Sequence, residues 1–325
     1  MRGYRAPWLL SNRHLNTIFS ARIAARPQPR FRRERWDTPD GDFIDLDFLE
    51  ADSSGEVADR HTPLVVLFHG LEGSSSSAYA RSLMWAVRRR GWRGVVAHFR
   101  GCSGEPNRLP RAYHAGDSAE ADFVLRRLKA RALNAPIYAV GVSLGGNVLC
   151  KWLGERGEGA LSIVARAAAI SAPVDLHAAG DALEHGVGKL YTYNFLRTLR
   201  RGAETLLRRF PGLFDEKAMK RARTLRAFDD VVTGPIHGFA GVDDYWTRAS
   251  ALPVLKDVRV PLFLLNALDD PFYSEAALPT PAQLSSSITV ERPAQGGHVG
   301  FARAFGDDWL SARVLRFFDA PITPQ

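Results

Sequence analysis

A serine flanked by glycines stands at the end of an apolar run, in the stretch GVSLGGNVL (141–149). Gly141, Ser143 and Gly145 fit the G-x-S-x-G pattern, in which a serine occupies a sharp turn between a strand and a helix. Glycines on either side let neighbouring backbone approach, and the turn holds the serine Oγ above the sheet near the positive end of the helix. The pattern therefore predicts a nucleophile, Ser143.

A serine alcohol attacks efficiently only when a base takes its proton and an acid orients that base. Of the nine histidines, His298 has the best context, because QGGHVGF is a glycine-rich loop after the last predicted strand. LFLLNALDDPF places Asp269 and Asp270 at the end of a late strand. Asp270 is preferred because it directly precedes Pro271, and Asp269 is then expected to cap the strand end or the loop. The order Ser143, Asp270, His298 is that of an α/β-hydrolase triad.

Acyl transfer also needs hydrogen-bond donors for the oxyanion. The backbone N–H of Leu144, directly after the nucleophile, is one predicted donor, and the loop HGLEGSSSS supplies the other from Leu71. Gly70 and Gly73 let this loop fold close to the serine. We expect His69 to brace the loop, and a direct role for it in proton transfer is the less favoured alternative.

These residues must be positioned by a sheet with helices packed on it, and the chain carries such a pattern from residue 64 onward. Short apolar runs alternate with longer segments of helical spacing, which is typical of a parallel sheet covered by helices. The predicted strands lie in 64–69, 92–99, 136–142, 161–173, 258–270 and 285–292. The predicted helices are 78–91, 116–131, one directly after Ser143, and 301–318.

The strand pattern stops between residues 174 and 256, where the sequence becomes helical, basic and aromatic. The simplest account is one doubly wound, mostly parallel α/β domain of the α/β-hydrolase type, with a helical cap insertion between two late strands. We predict that the core comprises 1–173 and 257–325, with an N-terminal extension at 1–35. Residues 174–256 are predicted to form the cap or lid.

A hydrolase of apolar acyl chains needs a wall over the nucleophile that excludes water and holds the chain. The aromatic side chains of the cap are candidates for this wall, and the alternative is that they form a small core of the cap's own. They are Tyr191, Tyr193, Phe195, Phe239 and Trp246.

The formal net charge of +8 is unevenly spread, because two segments each carry +8 and the rest of the chain carries −8. Residues 1–35 contain nine arginines and one acidic residue, and residues 189–226 contain eleven Lys or Arg and three acidic residues. Such segments permit contact with an anionic surface such as phospholipid headgroups. The alternative is a pair of solvated helix faces, and no motif for binding nucleic acid accompanies the charge.

Two cysteines, Cys102 and Cys150, are too few for a disulfide framework and predict free thiols in a reducing compartment. The first residues lack the apolar core of a signal peptide, and no run of about 18 apolar residues is present. We therefore expect a soluble, cytoplasmic protein. Cys102 lacks a strand-to-helix turn and a base, so we expect a structural loop there. No histidine spacing predicts a metal, and no cofactor is expected.

Several long stretches resemble the YheT-like branch of the α/β-hydrolases, which is related to eukaryotic abhydrolase-domain lipid esterases. They are HGLEGSSSSAYA, FRGCSGEPNR, RAYHAGD, GVSLGGNVL, NALDDPF and GGHVGF, and the resemblance covers nearly the whole chain. One departure is His14-Leu-Asn16-Thr-Ile, where glutamine is expected in place of Asn16, and it concerns a local N-terminal contact. The resemblance implies a serine hydrolase of carboxylic esters, with short acyl esters or acylglycerol-type lipids as the range of substrates.

Two other functions fit the same sequence. One is a catalytically silent lipid-binding or interaction protein that keeps the hydrolase fold, supported by the basic cap. The other is an acyltransferase with the same triad, in which an alcohol and not water receives the acyl group. The complete set Ser143, Asp270 and His298 favours an enzyme over the silent protein.

Overall fold

An eight-stranded sheet forms the centre of the computed structural model, which describes residues 3–22, 28–50, 61–132, 134–302 and 308–320. The strand order is β1-β2-β4-β3-β5-β6-β7-β8, with β1/β2 and β2/β4 antiparallel and every other pair parallel. The strands are β1 (Phe31–Asp37), β2 (Phe43–Leu49), β3 (Leu64–Phe68), β4 (Arg93–Ala97), β5 (Ile137–Val142), β6 (Arg166–Ile170), β7 (Leu262–Leu265) and β8 (Ile288–Glu291).

Helices cover both faces of this sheet. Those packed with the strands are α2 (Ala78–Arg89), α3 (Ser118–Arg131), α4 (Leu144–Arg156) and α11 (Trp309–Asp319). The other helices of the described residues are α1 (Arg13–Arg22), α5 (Leu176–Leu183), α6 (Gly188–Arg209), α7 (Glu216–Arg221), α8 (Leu225–Phe228), α9 (Gly234–Ile236) and α10 (Val242–Ala249). Short 3-10 segments lie at Trp8–Leu10, Gly157–Ser162, Leu252–Asp257, Glu275–Ala277 and Pro281–Gln283, and Asp229–Thr233 is a π-helical turn.

The core is divided in two by the sheet, because successive side chains of a strand point to opposite faces. Val66 and Phe68 of β3 pack with Leu149 of α4 on one side. Val65 and Leu67 pack with α2 and α11 on the other. β3 is buried on both faces, which explains its continuous apolar run. The predicted doubly wound, mostly parallel α/β fold is confirmed.

The strands and helices from β3 onward fall within the predicted runs, with one shortened element. The last helix begins at Trp309 and not at Phe301, and residues 303–307 lie outside the described part of the chain. Phe301 itself has a left-handed backbone (φ +46°), which no helix accommodates. Residues 174–256 contain only helices, the π-helical turn and connections, and they lie in the chain between β6 and β7.

The antiparallel hairpin of β1 and β2 was not predicted from the sequence. β1 reads FRRERWD and is an edge strand with four charged or polar side chains facing outward, so it carries little apolar signal. Because β1 begins at Phe31, the last five residues of the predicted extension 1–35 belong to the sheet. Residues 1, 2 and 23–27 of that extension lie outside the described ranges.

A buried arginine ties this hairpin to the rest of the sheet. Arg100 follows β4, and its guanidinium pairs with Asp42 at 2.9 Å, just before β2, and with Glu120 of α3. All three side chains are buried. Burial raises the pKa of Glu120 to about 7, with the nearby carboxylate of Asp117 adding to the effect, while Arg100 opposes it. The ion pairs therefore hold together elements that are far apart in the sequence.

We predict that Arg100→Met lowers the free energy of unfolding by about 3–5 kcal/mol, because it leaves two buried carboxylates without their cation. Arg126→Met is the matched control: its partner Asp122 lies one helical turn away and its side chain is 54% exposed. That change should cost about 0.5 kcal/mol or less. Urea unfolding followed by circular dichroism measures both, and equal losses would contradict the role given to Arg100.

Candidate active site

Ser143 occupies the turn between β5 and α4 with a left-handed backbone, φ +52° and ψ −122°. Such a conformation is strained for a non-glycine residue and persists only where the surroundings enforce it. A Cβ at Gly145 would lie 2.4 Å from the carbonyl oxygens of Phe68 and His69, and one at Gly141 would lie 2.4 Å from the carbonyl oxygen of Gly145. The two glycines therefore let α4 begin directly against the end of β3.

The structure brings together the three side chains that the sequence singled out. His298 Nε2 lies 2.8 Å from Ser143 Oγ, and His298 Nδ1 lies 2.9 Å from Asp270 Oδ2. Asp270 is fully buried, and its Oδ1 also accepts a hydrogen bond from the Phe272 N–H at 2.9 Å. In this arrangement the imidazole can accept the serine proton while the carboxylate holds its other nitrogen.

Asp269, the alternative carboxylate, has a different partner. Its Oδ1 accepts a hydrogen bond at 2.8 Å from the N–H of Gly297, the residue before His298, and not from the imidazole ring. Burial raises the pKa of Asp269, with the negative charge of Asp270 also raising it, and the hydrogen bond from Gly297 opposes both. Asp269 thus ties the histidine loop to the end of β7.

The loop that carries His298 is itself strained. Val299 and Phe301 have positive φ values of +55° and +46°, in a region that costs non-glycine residues about 1–3 kcal/mol each. Three hydrogen bonds hold the backbone here: His298 N–H to Thr17 Oγ1 at 2.9 Å, Val299 N–H to Ser171 Oγ at 3.0 Å, and Ala302 N–H to the Asn16 side chain. The loop depends on groups outside itself for its conformation.

Two of these groups belong to helix α1, near the other end of the chain. The Asn16 amide also donates to Tyr4 Oη at 2.9 Å, and Tyr4 donates to the Ala302 carbonyl at 2.6 Å. A Cβ at Gly300 would lie 2.3 Å from Asn16 Oδ1, so helix and loop are in close contact. From the sequence this segment was expected to make only a local contact, and its link to His298 was not predicted. The stretch His14-Leu-Asn16-Thr-Ile was the only signal of it.

The two predicted oxyanion donors lie beside the serine. In the described part of the chain, the backbone N–H groups of Leu71 and Leu144 donate to no protein acceptor. A Cβ at Gly70 would lie 3.1 Å from the Ser143 Cβ, so the loop after β3 rests against the nucleophile. Tyr113 Oη accepts from the Glu72 N–H at 2.9 Å and donates to the Glu72 carboxyl group, which fixes the residue after Leu71.

His69 braces this loop. Its Nδ1 lies 2.7 Å from the Gly70 carbonyl oxygen, and its Nε2 accepts a hydrogen bond from the Phe99 N–H at 3.1 Å. Complete burial lowers the pKa of His69 to about 3. The imidazole is therefore neutral with both nitrogens engaged, and it has no free position for proton transfer.

A cavity of about 520 Å³ opens beside Ser143, Leu71 and Leu144. Its wall is mostly apolar, with a smaller polar portion. The lining side chains from residues 174–256 include Leu176, Leu183, Phe195, Leu199, Val232 and Trp246. Burial raises the pKa of Asp229, on the same wall, to about 6, against hydrogen bonds from Thr233 and Trp246. An acyl chain bonded to Ser143 would have apolar surface to lie against.

Only two of the five aromatic side chains expected at this wall line it. Phe195 and Trp246 do, whereas Tyr193 is exposed, and the expectation for Tyr191 and Phe239 is also wrong. Tyr191 packs between His14 and Phe272, and Phe239 packs against Tyr245 and His114. Helix α6 has only one side toward the cavity, so residues at neighbouring positions of one segment face different surroundings.

Both cysteines are free, and neither is activated. Cys102 lies at the cavity wall, where burial and the nearby Glu72 carboxyl group raise the pKa of its thiol. Burial raises the pKa of Cys150 to about 12. Because the thiolate is the reactive form, the raised pKa values disfavour reaction of both side chains.

Metal sites and membrane-spanning helices can be checked in the described ranges. No cluster of three or more His, Cys, Asp or Glu side chains is suited to hold a metal ion there. No helix in these ranges combines the length and the apolar composition that a bilayer span requires.

The sheet, the serine turn and the histidine loop together define an α/β hydrolase. A family model described as the alpha/beta hydrolase fold matches residues 63–304. Among solved structures, the esterase Pf2001 of Pyrococcus furiosus is similar in fold, with a TM-score of 0.55 and 14% sequence identity over 89% of this chain and 91% of that one.

Proteins of similar sequence identify the branch of the α/β-hydrolase family to which the chain belongs. It is 39% identical to the protein YheT of Escherichia coli (strain K12) over 321 residues, which are 97% of this chain and 90% of that protein. It is 30% identical to phospholipase ABHD3 of Homo sapiens over 301 residues, 92% of this chain and 73% of that protein. The chain belongs to the YheT-like branch of the α/β-hydrolase family.

We predict that Thr17→Val lowers the rate at which a fluorophosphonate labels Ser143 by about tenfold, because the His298 N–H loses its acceptor and the imidazole shifts. Thr17→Ser keeps an oxygen at the same position and should label at nearly the original rate. If Thr17 acted only through packing, the Thr17→Val variant, whose side chain has nearly the same shape, would be labelled faster than Thr17→Ser. That ranking would contradict a positioning role for Thr17.

Proposed function

We propose that this chain is a serine hydrolase of carboxylic esters that acts through an acyl-enzyme on Ser143. The observation that carries the proposal is the pair of contacts at His298, 2.8 Å to Ser143 Oγ and 2.9 Å to Asp270 Oδ2. The family membership supports hydrolase chemistry, and the names of relatives such as phospholipase ABHD3 and a yeast monoacylglycerol lipase support an ester substrate.

In the first half of the reaction, His298 Nε2 takes the proton of Ser143 as Oγ attacks the acyl carbonyl carbon. The negative charge that develops on the carbonyl oxygen is met by the N–H groups of Leu71 and Leu144. The imidazolium then gives its proton to the leaving alkoxide, the carbon–oxygen bond of the ester breaks, and the alcohol departs. The acyl group remains bonded to Ser143.

In the second half, water takes the place of the alcohol. His298 removes a proton from the water as its oxygen attacks the acyl carbon, and the same two N–H groups stabilise the oxyanion again. The proton then passes from His298 to Ser143 Oγ as the acyl–oxygen bond breaks. The carboxylic acid leaves, and the free serine is restored.

Asp270 maintains the histidine in the form that this cycle needs. Its carboxylate accepts the Nδ1–H, which leaves Nε2 unprotonated toward the serine, and it stabilises the imidazolium in each half of the cycle. The Phe272 ring stacks on the imidazole with centroids 3.9 Å apart. This contact restricts ring rotation and excludes water from one face of His298.

The cavity supports short-chain esters or acylglycerol-type lipids as the substrate class. The wall supplied by residues 174–256 fits the role of a cap on a core formed by 1–173 and 257–325, because it covers the space beside Ser143. If an alcohol and not water attacked the acyl-enzyme, the same residues would catalyse acyl transfer. Only the acceptor of the acyl group differs between the two reactions. The two free cysteines fit a reducing compartment and support a cytoplasmic location.

We predict that Ser143→Ala abolishes fluorophosphonate labelling and lowers hydrolysis of p-nitrophenyl acetate by about 10⁶-fold, because the nucleophile is gone. Intact-mass spectrometry and a colorimetric assay measure the two effects. Unfolding by urea should be nearly unchanged, which separates lost chemistry from lost structure. Full activity in Ser143→Ala would refute Ser143 as the nucleophile, whereas a lack of labelling and of hydrolysis in the original protein would favour a silent binding protein.

The two neighbouring aspartates provide a matched control for the same assay. Asp270→Asn should lower kcat by about 10⁴-fold, because an amide cannot hold the required tautomer. Asp269→Asn keeps an oxygen that can accept from the Gly297 N–H, so most of the activity should remain. If Asp269→Asn lost more activity than Asp270→Asn, Asp269 and not Asp270 would be the carboxylate that orients His298.

A further prediction concerns the wall of the cavity. Phe195→Ala should raise the ratio of kcat/KM for p-nitrophenyl decanoate over the acetate by about tenfold, because the lost ring leaves room for methylene groups. Phe239→Ala, another phenylalanine of the cap that does not line the cavity, should leave this ratio unchanged. The ratio cancels any general loss of turnover. Equal ratios in both variants would contradict a role for Phe195 of the cap in selecting the acyl chain.

A further inference from the structure

Large apolar side chains are exposed in an uneven pattern over the described residues. Eight of them are exposed, and seven lie in two short segments; the eighth is Leu161. Scattered exposed apolar residues are ordinary, whereas contiguous ones mark an interaction surface. The seven are Trp8, Leu9, Leu15 and Ile18 near the N-terminus, and Val187, Leu190 and Tyr193 at the start of α6. We call them the N-terminal–α6 face.

The two segments are in contact with each other. His14 Nδ1 lies 3.2 Å from Tyr191 Oη, and the two rings stack with centroids 6.0 Å apart. Leu15 and Ile18 are three residues apart in α1, and Leu190 and Tyr193 are three apart in α6, so each pair shares one side of its helix. Trp8 is the most exposed of the seven, at 82%.

The charge carried by these two segments is of one sign, and the nearby carboxyl group of Asp269 after β7 is the acidic neighbour of Arg13 and His14. Residues 3–22 and 185–203 contain no aspartate or glutamate. Five exposed cations in them form no ion pair with any described carboxylate, namely Arg5, Arg13, Lys189, Arg197 and Arg201. The arginines of β1 differ, because Arg33 and Arg35 pair with Asp47 and Asp45. The unpaired positive charge thus coincides with the exposed apolar side chains.

We propose that the N-terminal–α6 face docks the protein on an anionic lipid bilayer. Apolar and aromatic side chains can enter the boundary between headgroups and acyl chains, while lysine and arginine attract anionic lipids. A second copy of this chain is a poorer partner, because a symmetric contact would set the same unpaired cations against each other.

The inner sides of the same two segments reach the active site. On α1, Thr17 is buried and holds the His298 backbone, whereas Leu15 and Ile18 are exposed. On α6, Phe195 and Leu199 line the cavity. A docked molecule would therefore hold its cavity wall and histidine loop next to the bilayer that supplies a lipid ester. This last consequence rests on the proposed hydrolase function, whereas docking itself does not.

Cosedimentation with vesicles tests the proposal. Full-length protein is mixed with vesicles of equal parts phosphatidylglycerol and phosphatidylcholine, or of phosphatidylcholine alone, and the bound fraction is measured against lipid concentration. We expect binding to the anionic vesicles only. Replacing Trp8 and Leu9 by serine should weaken it about tenfold or more, and Lys189→Gln or Arg197→Gln about fivefold each. Leu161→Ser is the matched control and should bind like the original protein.

The same variants keep the outcomes distinct. Hydrolysis of p-nitrophenyl acetate, which is soluble, should be unchanged by the Trp8 and Leu9 replacements, so weaker binding cannot be attributed to unfolding. No binding to anionic vesicles, or equal weakening by Leu161→Ser, would overturn the proposal. So would self-association that the face variants abolish in the absence of vesicle binding. A failed hydrolysis assay with normal vesicle binding would overturn the proposed function and leave docking intact.

Discussion

The close approach of helix α4 to the end of strand β3 is the constraint on which the rest of the site depends. Gly145 lies against the carbonyl oxygens of Phe68 and His69, so no side chain fits between helix and strand. This contact forces Ser143 into its left-handed turn and presents the Leu144 N–H at the start of the helix. His69, at the end of β3, also fixes the loop that follows. Its neutral ring is hydrogen-bonded to Gly70 on one side and to Phe99 on the other. Ser143 and the two predicted oxyanion donors therefore lie where the end of β3, its following loop and the start of α4 meet.

The histidine arrives from the opposite end of the chain and needs separate support. Its loop has left-handed residues on the C-terminal side of His298, and local contacts alone would not maintain that strain. Thr17 and Asn16 of α1, Ser171 after β6 and Asp269 after β7 share the task. Support from three elements leaves the imidazole in one position, which is what proton transfer over 2.8 Å requires.

Several elements serve two purposes through opposite sides. Helix α1 holds the histidine loop with Asn16 and Thr17 and exposes Leu15 and Ile18. Helix α6 lines the cavity with Phe195 and packs Leu196 into the small core of residues 174–256. Side chains of a helix project in the same direction only about every 3.6 residues, so neighbouring positions can face protein, substrate and solvent. Residues 174–256 thus both pack into a small core of their own and supply a wall of the cavity.

The amino-acid sequence by itself determined the parallel sheet, the serine turn and the order of the three polar residues, because apolar periodicity and glycine spacing are local signals. It did not reveal β1, whose charged edge residues are balanced by Asp45 and Asp47 across the hairpin. Nor did it separate Phe195 from Tyr193 in the cap, or connect Thr17 with His298, 281 positions away. Those facts depend on which surfaces meet after folding, and contacts between distant segments leave no periodic trace in the chain. Only the tertiary structure decided them.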